Sequence, residues 1–358
     1  MPKSIPSVRR PRSWWLVLGL LILSPICAEY LSAYDDSTGH PAALLGNLVI
    51  FIPLYGCAAL LIREVARRAR LGWTGILLLA AAFGLIEAGL VDQSLFSPDY
   101  RGLEGWDAMF STTLIGPLGL SAVNVLSFIG GHVMLSICGP IALVEAWRPQ
   151  RAAAPWLRLP GLVITALAYG TASVFVLLLH LQTESWHAAA GQLIGSGVVV
   201  VALIVAAVGL GRRTRSRRDA SGPGLGRTAV VALVLATVYN VMPPTWLGAA
   251  GSTAVLVISG WLLVRASRTR RWSPTHAAVV GSAPLVLTAL LAFTYDPMIG
   301  EVTAAAKYAH NAVMVAIVLA ALSIALLRRP RPCAGRGFLD LASAPVDELT
   351  GSVDSRDR

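Results

Sequence analysis

Residues 73–107 read WTGILLLAAAFGLIEAGLVDQSLFSPDYRGLEGWD, and this stretch decides the fold of the chain. From Trp73 to Val91 the run is apolar except for one ionisable side chain, Glu87. These residues would form a helix of ~28 Å, close to the ~30 Å thickness of the hydrocarbon core of a bilayer. The stretch therefore predicts a transmembrane helix that carries a carboxylate, followed by the longest outward loop of the chain.

The composition of the whole chain also indicates a membrane protein. Of its 358 residues, 55% are hydrophobic and 13% are charged, whereas a soluble domain carries about 25% charged residues. We predict an all-α, polytopic transmembrane helix bundle in one domain, residues 14–327. A basic cytoplasmic N-terminus precedes it at residues 1–13, and a disordered cytoplasmic tail follows at 328–358. The ten predicted spans lie near residues 14–31, 42–62, 73–91, 121–145, 160–181, 188–210, 228–242, 248–264, 275–293 and 305–327.

The basic residues predict how the chain crosses the membrane. If the N-terminus is cytoplasmic, 27 of the 29 Lys and Arg residues fall in segments on the cytoplasmic side, and only Arg101 and Lys307 fall elsewhere. This bias predicts that both termini are cytoplasmic, in a plasma membrane with an anionic inner leaflet. The net charge of +10 is thus explained without a nucleic-acid partner. Cleavage of the first apolar segment as a signal peptide remains an alternative to an uncleaved first span.

Several classes of function lack their usual sequence features. The four cysteines show no CxxC or CxxH spacing, so neither a disulfide nor a zinc site is predicted. No Walker loop, dinucleotide-binding glycine motif, HExxH or GxSxG motif occurs. We therefore expect no cofactor. His180 and Glu184 have helix-neighbour spacing and are weak candidates for metal binding, but an interfacial histidine is the default interpretation.

Polar residues inside the apolar segments are the candidates for function. An Asp at the centre of a membrane helix costs roughly 2.5 to 3.5 kcal/mol on insertion scales, so such residues should face protein or water. Counted along the predicted spans, six of them fall in one layer ~7 to 9 Å below the outer surface, and His132 lies deeper. The layer contains Glu29, Asn47, Glu87, Asn240, His310 and Asn311, and Asp92 at the outer edge of the third span is a further candidate for the same pocket.

If these residues converge, they would line an outward-open pocket able to bind a proton, a cation or a small polar solute. The alternative is that Glu29 and His310 reach interfacial water while the asparagines form hydrogen bonds between helices. The sequence does not decide between the two.

Charged residues near the cytoplasmic ends of the helices suggest no site. Glu145 and Arg148 have helix-neighbour spacing, which predicts a local ion pair. Arg63 and Glu64 are adjacent in sequence and should not face each other, so we expect both to be solvated residues at the membrane boundary.

Glu87, followed by Phe128-Ile129-Gly130-Gly131-His132, resembles the first two motifs of the CAAX-protease and bacteriocin-processing family of intramembrane proteases, EExxxR and FxxxH. The resemblance implies that Glu87 would activate a water for peptide hydrolysis and that His132 would stabilise the transition state. The chain departs from the motifs at Ala88 and Asp92, which replace the second Glu and the Arg. No third His motif follows. The chain also resembles uncharacterised bacterial multi-pass membrane proteins, which implies no mechanism.

Three hypotheses of function follow. The first is a carrier or permease-like protein, not an enzyme, with an outward-accessible, protonatable pocket around Glu87. The second is a membrane-embedded enzyme, either the protease above or an enzyme with a lipid substrate, that uses Glu87 and His132 as catalytic residues. The third is a scaffold or assembly factor without chemistry. The sequence specifies neither the substrate nor the oligomeric state.

Overall fold

The computed structural model describes residues 13–212 and 222–328 and is an all-α polytopic helix bundle, as predicted. The predicted N-terminal segment, part of the basic loop after the sixth span, and the predicted disordered tail lie outside these residues. Ten apolar helices occupy the described part of the chain: α1 (Trp14–Tyr30), α2 (Pro41–Arg68), α3 (Gly72–Val91), α4 (Ala122–Trp147), α5 (Leu159–Thr183), α6 (Ala190–Gly211), α7 (Leu225–Asn240), α8 (Trp246–Ala266), α9 (Pro274–Leu291) and α10 (Ala304–Leu327).

By length and composition, eight of these helices are able to cross a membrane, and α1 and α7 are shorter apolar helices. The second helix continues to Arg68, six residues beyond the predicted end of its span at residue 62. It can do so because the charged side chains of its last turns are paired inside the protein, as described below.

The first four helices and the last two form the centre of the bundle. α4 packs against α1, α2, α3, α8, α9 and α10. In α3, 61% of the most apolar window is buried, whereas the corresponding figure is 11% in α5. Since buried polar groups need partners, the polar residues of α3 are those that most require an explanation.

The connection between α3 and α4 is folded rather than extended. It contains a short helix, Trp106–Thr112, and a two-stranded antiparallel hairpin in which Leu114 pairs with Ser121 and Ile115 with Leu120. The Trp106 indole N–H donates a hydrogen bond to the Ser97 carbonyl oxygen at 3.0 Å. The rings of Tyr100 and Trp106 lie 6.1 and 6.0 Å, between centroids, from that of Phe128 on α4, so the loop packs against the first turns of that helix.

Candidate functional site

Each of the first four helices contains a π-helical segment in which the backbone hydrogen bonds are displaced. The segments are Ile26–Tyr30, Ile52–Gly56, Glu87–Val91 and His132–Cys138. π-Segments are rare and occur frequently at functional sites. Each of these carries a polar side chain that a bilayer would exclude, namely Glu29, Tyr55, Glu87 and His132.

A proline explains one of these segments locally. A proline has no N–H, so it cannot bond the carbonyl four residues earlier. Pro140 thereby frees the carbonyl of Ser136, which accepts a hydrogen bond from the Ser24 hydroxyl at 2.6 Å. The same hydroxyl lies 3.0 Å from the carbonyl oxygen of Tyr55. Ser24 therefore connects three helices directly beside their π-segments.

Glu87 is the central residue of the site. Its side chain is only 2% exposed, and its Oε2 atom has no hydrogen-bond partner among the described residues. It interacts electrostatically with Asp92 and Glu29, and those two carboxylates interact with each other. We call Glu29, Glu87 and Asp92 the acid cluster.

Phenol groups surround the acid cluster. The Tyr34 hydroxyl donates a hydrogen bond to Oε2 of Glu29 at 2.8 Å, and Tyr55 approaches the same carboxylate. Tyr100, in the loop after α3, interacts with Asp92. The hydroxyl of Tyr169, on α5, is buried without a hydrogen-bond partner in the described structure and interacts electrostatically with Glu87.

Arg101 is the cation nearest to the acid cluster among the electrostatic partners of Glu29 and Asp92. Its side chain is exposed at the rim of the site, and its backbone has a positive φ of 56°. Arg101 is one of the two basic residues that fall outside the predicted cytoplasmic segments. The other, Lys307, donates a hydrogen bond to Oδ1 of Asp296 at 2.8 Å.

Asp92 follows the last residue of α3 and is the member of the acid cluster nearest to the loop. Its Oδ1 accepts hydrogen bonds from the backbone N–H and the hydroxyl of Ser94, at 2.9 and 2.8 Å. Burial, together with the charge of Glu29, nevertheless raises the pKa of Asp92 to about 6. Asp92 can therefore change its protonation state close to neutral pH.

His132 lies against α3 one turn before Glu87. A Cβ atom added to Gly84 would lie 3.0 Å from the Cβ of His132, so glycine at this position lets the two helices approach closely. The imidazole stacks on Tyr55 and meets Phe83 edge-on, with ring centroids 5.9 and 5.5 Å apart. Its Nδ1 is 3.3 Å from the Ser136 hydroxyl.

His310 and Asn311 have partners on the backbone. Nδ1 of His310 accepts a hydrogen bond from the N–H of Gly39 at 3.4 Å, so its Nε2 carries the proton and donates to the Tyr30 carbonyl at 2.8 Å. Asn311 donates from Nδ2 to the Ala292 carbonyl at 2.9 Å. These bonds tie α10 to α1 and to the neighbouring loops.

The two remaining asparagines of the predicted layer lie elsewhere. Asn47 is half-buried on α2. Asn240 is exposed at the end of α7, where its Nδ2 donates to the Ala236 carbonyl, and it lines a cavity of about 150 Å³ between α4, α7 and α8. Tyr239 and Ser252 also line this cavity.

The two weak metal candidates lie near the end of α5. His180 is buried, its Nε2 lacks a partner among the described residues, and its ring lies 5.6 Å from that of His187. Glu184 interacts electrostatically with His180 and also with Tyr100. Within residues 13–212 and 222–328, no group of three or more His, Cys, Asp or Glu side chains is arranged to hold a metal ion.

A second set of buried charges lies at the C-terminal ends of α2 and α4, away from the acid cluster. We call this set the ion network: Arg63, Glu64, Arg67 and Glu145. Nη1 of Arg63 donates to Glu64 Oε1 at 2.6 Å, and its Nε donates to Glu145 Oε1 at 3.1 Å. Arg67 forms two further hydrogen bonds with Glu145. Nη2 of Arg63 donates to three carbonyl oxygens of the loop between α4 and α5, those of Arg151, Ala152 and Ala154.

The ion network corrects two sequence predictions. Arg63 and Glu64 are fully buried and bonded to each other, so their interpretation as solvated boundary residues was wrong. Glu145 pairs with Arg63 and Arg67 instead of forming the predicted local pair with Arg148. Glu145 meets Arg63 and Arg67 because α2 packs beside α4, a tertiary contact that helix spacing does not encode.

Sequence reasoning missed the phenol groups and Arg101 as part of the site. Tyr34, Tyr55, Tyr100 and Tyr169 are amphipathic and are usually assigned to the membrane interface or to packing. One sequence signal that was available is the prolines inside the apolar segments, Pro25, Pro53 and Pro140, since they lie in or next to three of the four π-segments.

Comparison with known proteins gives one family. A model described as "Uncharacterized membrane protein family" matches residues 17–339. No curated protein and no solved structure matches the chain. The resemblance of Glu87 and Phe128–His132 to the CAAX-protease and bacteriocin-processing family is not confirmed by this match.

Proposed function

The chain belongs to this uncharacterised membrane protein family, and from its own geometry we propose that it is a carrier of the plasma membrane whose acid cluster takes up and releases protons. The observation that carries the proposal is Glu87, a buried carboxylate whose Oε2 has no partner in the described structure. An ionised carboxylate in such surroundings costs several kcal/mol unless it is protonated or paired. A site of this kind is typical of proton relays in membrane carriers.

Two further features support exchange of protons with one side of the membrane. Three interacting carboxylates cannot all be ionised without strong repulsion, so the acid cluster should change its proton count as the pH changes. Asp92 follows the last residue of α3 and interacts electrostatically with Arg101, which is exposed in the adjoining loop. The predicted topology assigns this end to the extracytoplasmic side.

A second candidate function is a membrane-embedded enzyme in which Glu87 and His132 act together. The observation in its favour is the close approach of His132 to α3 at Gly84, one turn from Glu87. Against it, the His132 ring is packed between Tyr55 and Phe83, which restricts its movement toward a substrate.

A Glu87→Gln variant tests the carrier directly. The full chain is reconstituted into liposomes, and infrared difference spectra are recorded between about pH 5 and pH 8 to observe protonated carboxyl groups. We expect a carboxyl band in the natural protein that is lost in Glu87→Gln and retained in Glu104→Gln, a control at an exposed glutamate of the same loop region. A solute gradient should drive proton movement across liposomes that contain the control variant, and should not do so across liposomes that contain Glu87→Gln.

Two outcomes would overturn the carrier. One is an infrared titration that is identical in Glu87→Gln and in the natural protein. The other is cleavage of membrane peptides that is lost in Glu87→Gln while proton movement persists, a result that would favour the enzyme.

A further inference from the structure

Five of the eight tyrosines of the chain interact electrostatically with Glu29, Glu87 or Asp92: Tyr30, Tyr34, Tyr55, Tyr100 and Tyr169. The acid cluster is therefore an anionic centre in aromatic surroundings. Carboxylates and phenol hydroxyls together bind ammonium cations, because their oxygen atoms accept hydrogen bonds from the N–H groups and the tyrosine rings tolerate the apolar part of the ligand. The five tyrosines come from separate positions in the sequence, and helix packing alone does not explain why all of them lie near these carboxylates.

Two atoms of the site still lack partners. Oε2 of Glu87 and the hydroxyl of Tyr169 are both buried and without a hydrogen bond in the described structure, and the two residues interact electrostatically. They come from α3 and α5 and would both accept hydrogen bonds from the N–H groups of one bound cation. Unpaired buried acceptors of this kind favour a ligand that brings donors with it.

An inorganic divalent cation fits the site poorly. Ca²⁺ takes six to eight oxygen ligands and Mg²⁺ six, at fixed short distances. Among the residues that the structure describes, no three His, Cys, Asp or Glu side chains are arranged around a common point. An organic ammonium cation does not need such a shell, since one carboxylate and aromatic contacts suffice.

Arg101 is a cation of the protein itself that interacts with the acid cluster. It is exposed at the rim and attracts Glu29 and Asp92, and its other electrostatic partners are Asp35, Asp36, Tyr34 and Tyr100. A guanidinium is itself an organic cation with several N–H donors. Arg101 therefore supplies part of the positive charge that the acid cluster attracts, but does so from outside the buried part of the site.

We propose that the acid cluster and its tyrosines form a binding site for an organic ammonium cation and that Arg101 competes with this ligand for the carboxylates. The proposal rests on the proposed carrier function and names its substrate class. To bind, the ligand would then have to replace the electrostatic interaction of Arg101 with the carboxylates. Protonation of the acid cluster would weaken ligand binding because it removes negative charge. Ammonium ligand and proton would bind in exchange.

The test uses the full chain in lipid nanodiscs, with benzylammonium as the probe and benzyl alcohol as a neutral probe of similar size. Isothermal titration at about pH 8 should give binding of benzylammonium at least tenfold tighter than that of benzyl alcohol. Arg101→Gln should tighten benzylammonium binding roughly fivefold, because a competing charge is removed from the rim. Glu29→Gln should weaken it roughly tenfold.

Lys307→Gln is the matched control. Lys307 is the other basic residue outside the predicted cytoplasmic segments, and it pairs with Asp296 rather than with the acid cluster. Its replacement should leave benzylammonium binding unchanged. A general effect of positive charge would instead change the affinity equally in the Arg101 and Lys307 variants, and that result would overturn the proposal.

Failure of this proposal is separable from failure of the carrier. Equal affinity for benzylammonium and benzyl alcohol, or weaker binding of benzylammonium in Arg101→Gln, overturns the ammonium site. The Glu87 infrared band would stand unaffected in that case. Displacement of benzylammonium by Mn²⁺ at equal concentration would likewise overturn it, in favour of an inorganic cation.

Discussion

The ion network and the acid cluster contain the same kind of residue in opposite circumstances. Glu145 in the network is 3% exposed and Glu87 in the cluster is 2% exposed, so the two carboxylates are equally buried. Glu145 binds the guanidinium groups of Arg63 and Arg67. Glu87 has carboxylates and phenols as neighbours, and its Oε2 has no partner in the described part of the chain.

The difference indicates that Glu145 stabilises the fold, whereas Glu87 is available to bind a ligand or a proton. In the ion network, the guanidinium of Arg63 also stacks over the Trp156 ring at 3.4 Å and bonds three loop carbonyls, so each charged group is satisfied by protein. The network fixes the loop between α4 and α5 to α2. In the acid cluster, Glu29 and Asp92 accept hydrogen bonds from neutral groups, but Oε2 of Glu87 accepts none in the described structure. The desolvation cost of Glu87 is therefore left without such compensation, which a fold alone has no reason to keep.

The largest expected effect is on the ion network. Glu145→Gln removes the carboxylate and leaves Arg63 and Arg67 as buried cations with fewer partners. Breaking a buried ion pair from one side costs about 3–5 kcal/mol, so we expect a loss of stability of that order. Thermal unfolding in detergent, followed by tryptophan fluorescence, measures it. Glu104→Gln, at an exposed position, is the control, and a Tm within error of the control would show that the network does not stabilise the fold.

The same substitution in the acid cluster should act in the opposite direction. Glu87→Gln keeps the size of the side chain and removes a group that can be ionised without a partner. We expect the protein to become more stable by on the order of 1–2 kcal/mol at about pH 8, where ionisation of the acid cluster is most costly. Unfolding is measured as for Glu145→Gln. A loss of stability as large as that of Glu145→Gln would mean that both glutamates are structural.

The sequence predicted the bundle more completely than the site. Apolar length places a helix wherever twenty or so residues lack charge, and the ten apolar helices of the described residues lie at those segments. Glu87 was identified because a carboxylate in such a run is rare. Glu29 was predicted at the same depth and Asp92 at the outer edge of the same span, and depth was enough to bring them into the same prediction.

Depth could not decide which residues face each other, because it does not fix helix rotation. His310 and Asn311 lie on a buried face but bond backbone groups of α1 and the neighbouring loops instead of the carboxylates. Arg63 illustrates the same limit, since it was placed in solvent and is 0% exposed. Its partners come from α4 and from a loop almost ninety residues away, and only the packed structure brings them together.

The smallest expected effect distinguishes the two regions by pH. The pKa of Asp92 is raised by burial from 3.8 to about 6, so its ionised form is less favourable in the folded than in the unfolded protein. Asp92 should therefore not affect the free energy of unfolding below about pH 4. Between about pH 4 and 6 it should lower this free energy, which should stay lowered above about pH 6. Asp92→Asn cannot ionise and still accepts the bonds from Ser94.

We therefore expect Asp92→Asn to gain on the order of 1 kcal/mol over the natural protein at about pH 7.5 and nothing at about pH 4. Thermal unfolding at the two pH values measures the difference. Asp99→Asn, an exposed neighbour in the same loop, should show no such change. If Asp92→Asn instead loses stability at neutral pH, Asp92 is compensated as Glu145 is, and the contrast between the acid cluster and the ion network is confined to Glu29 and Glu87.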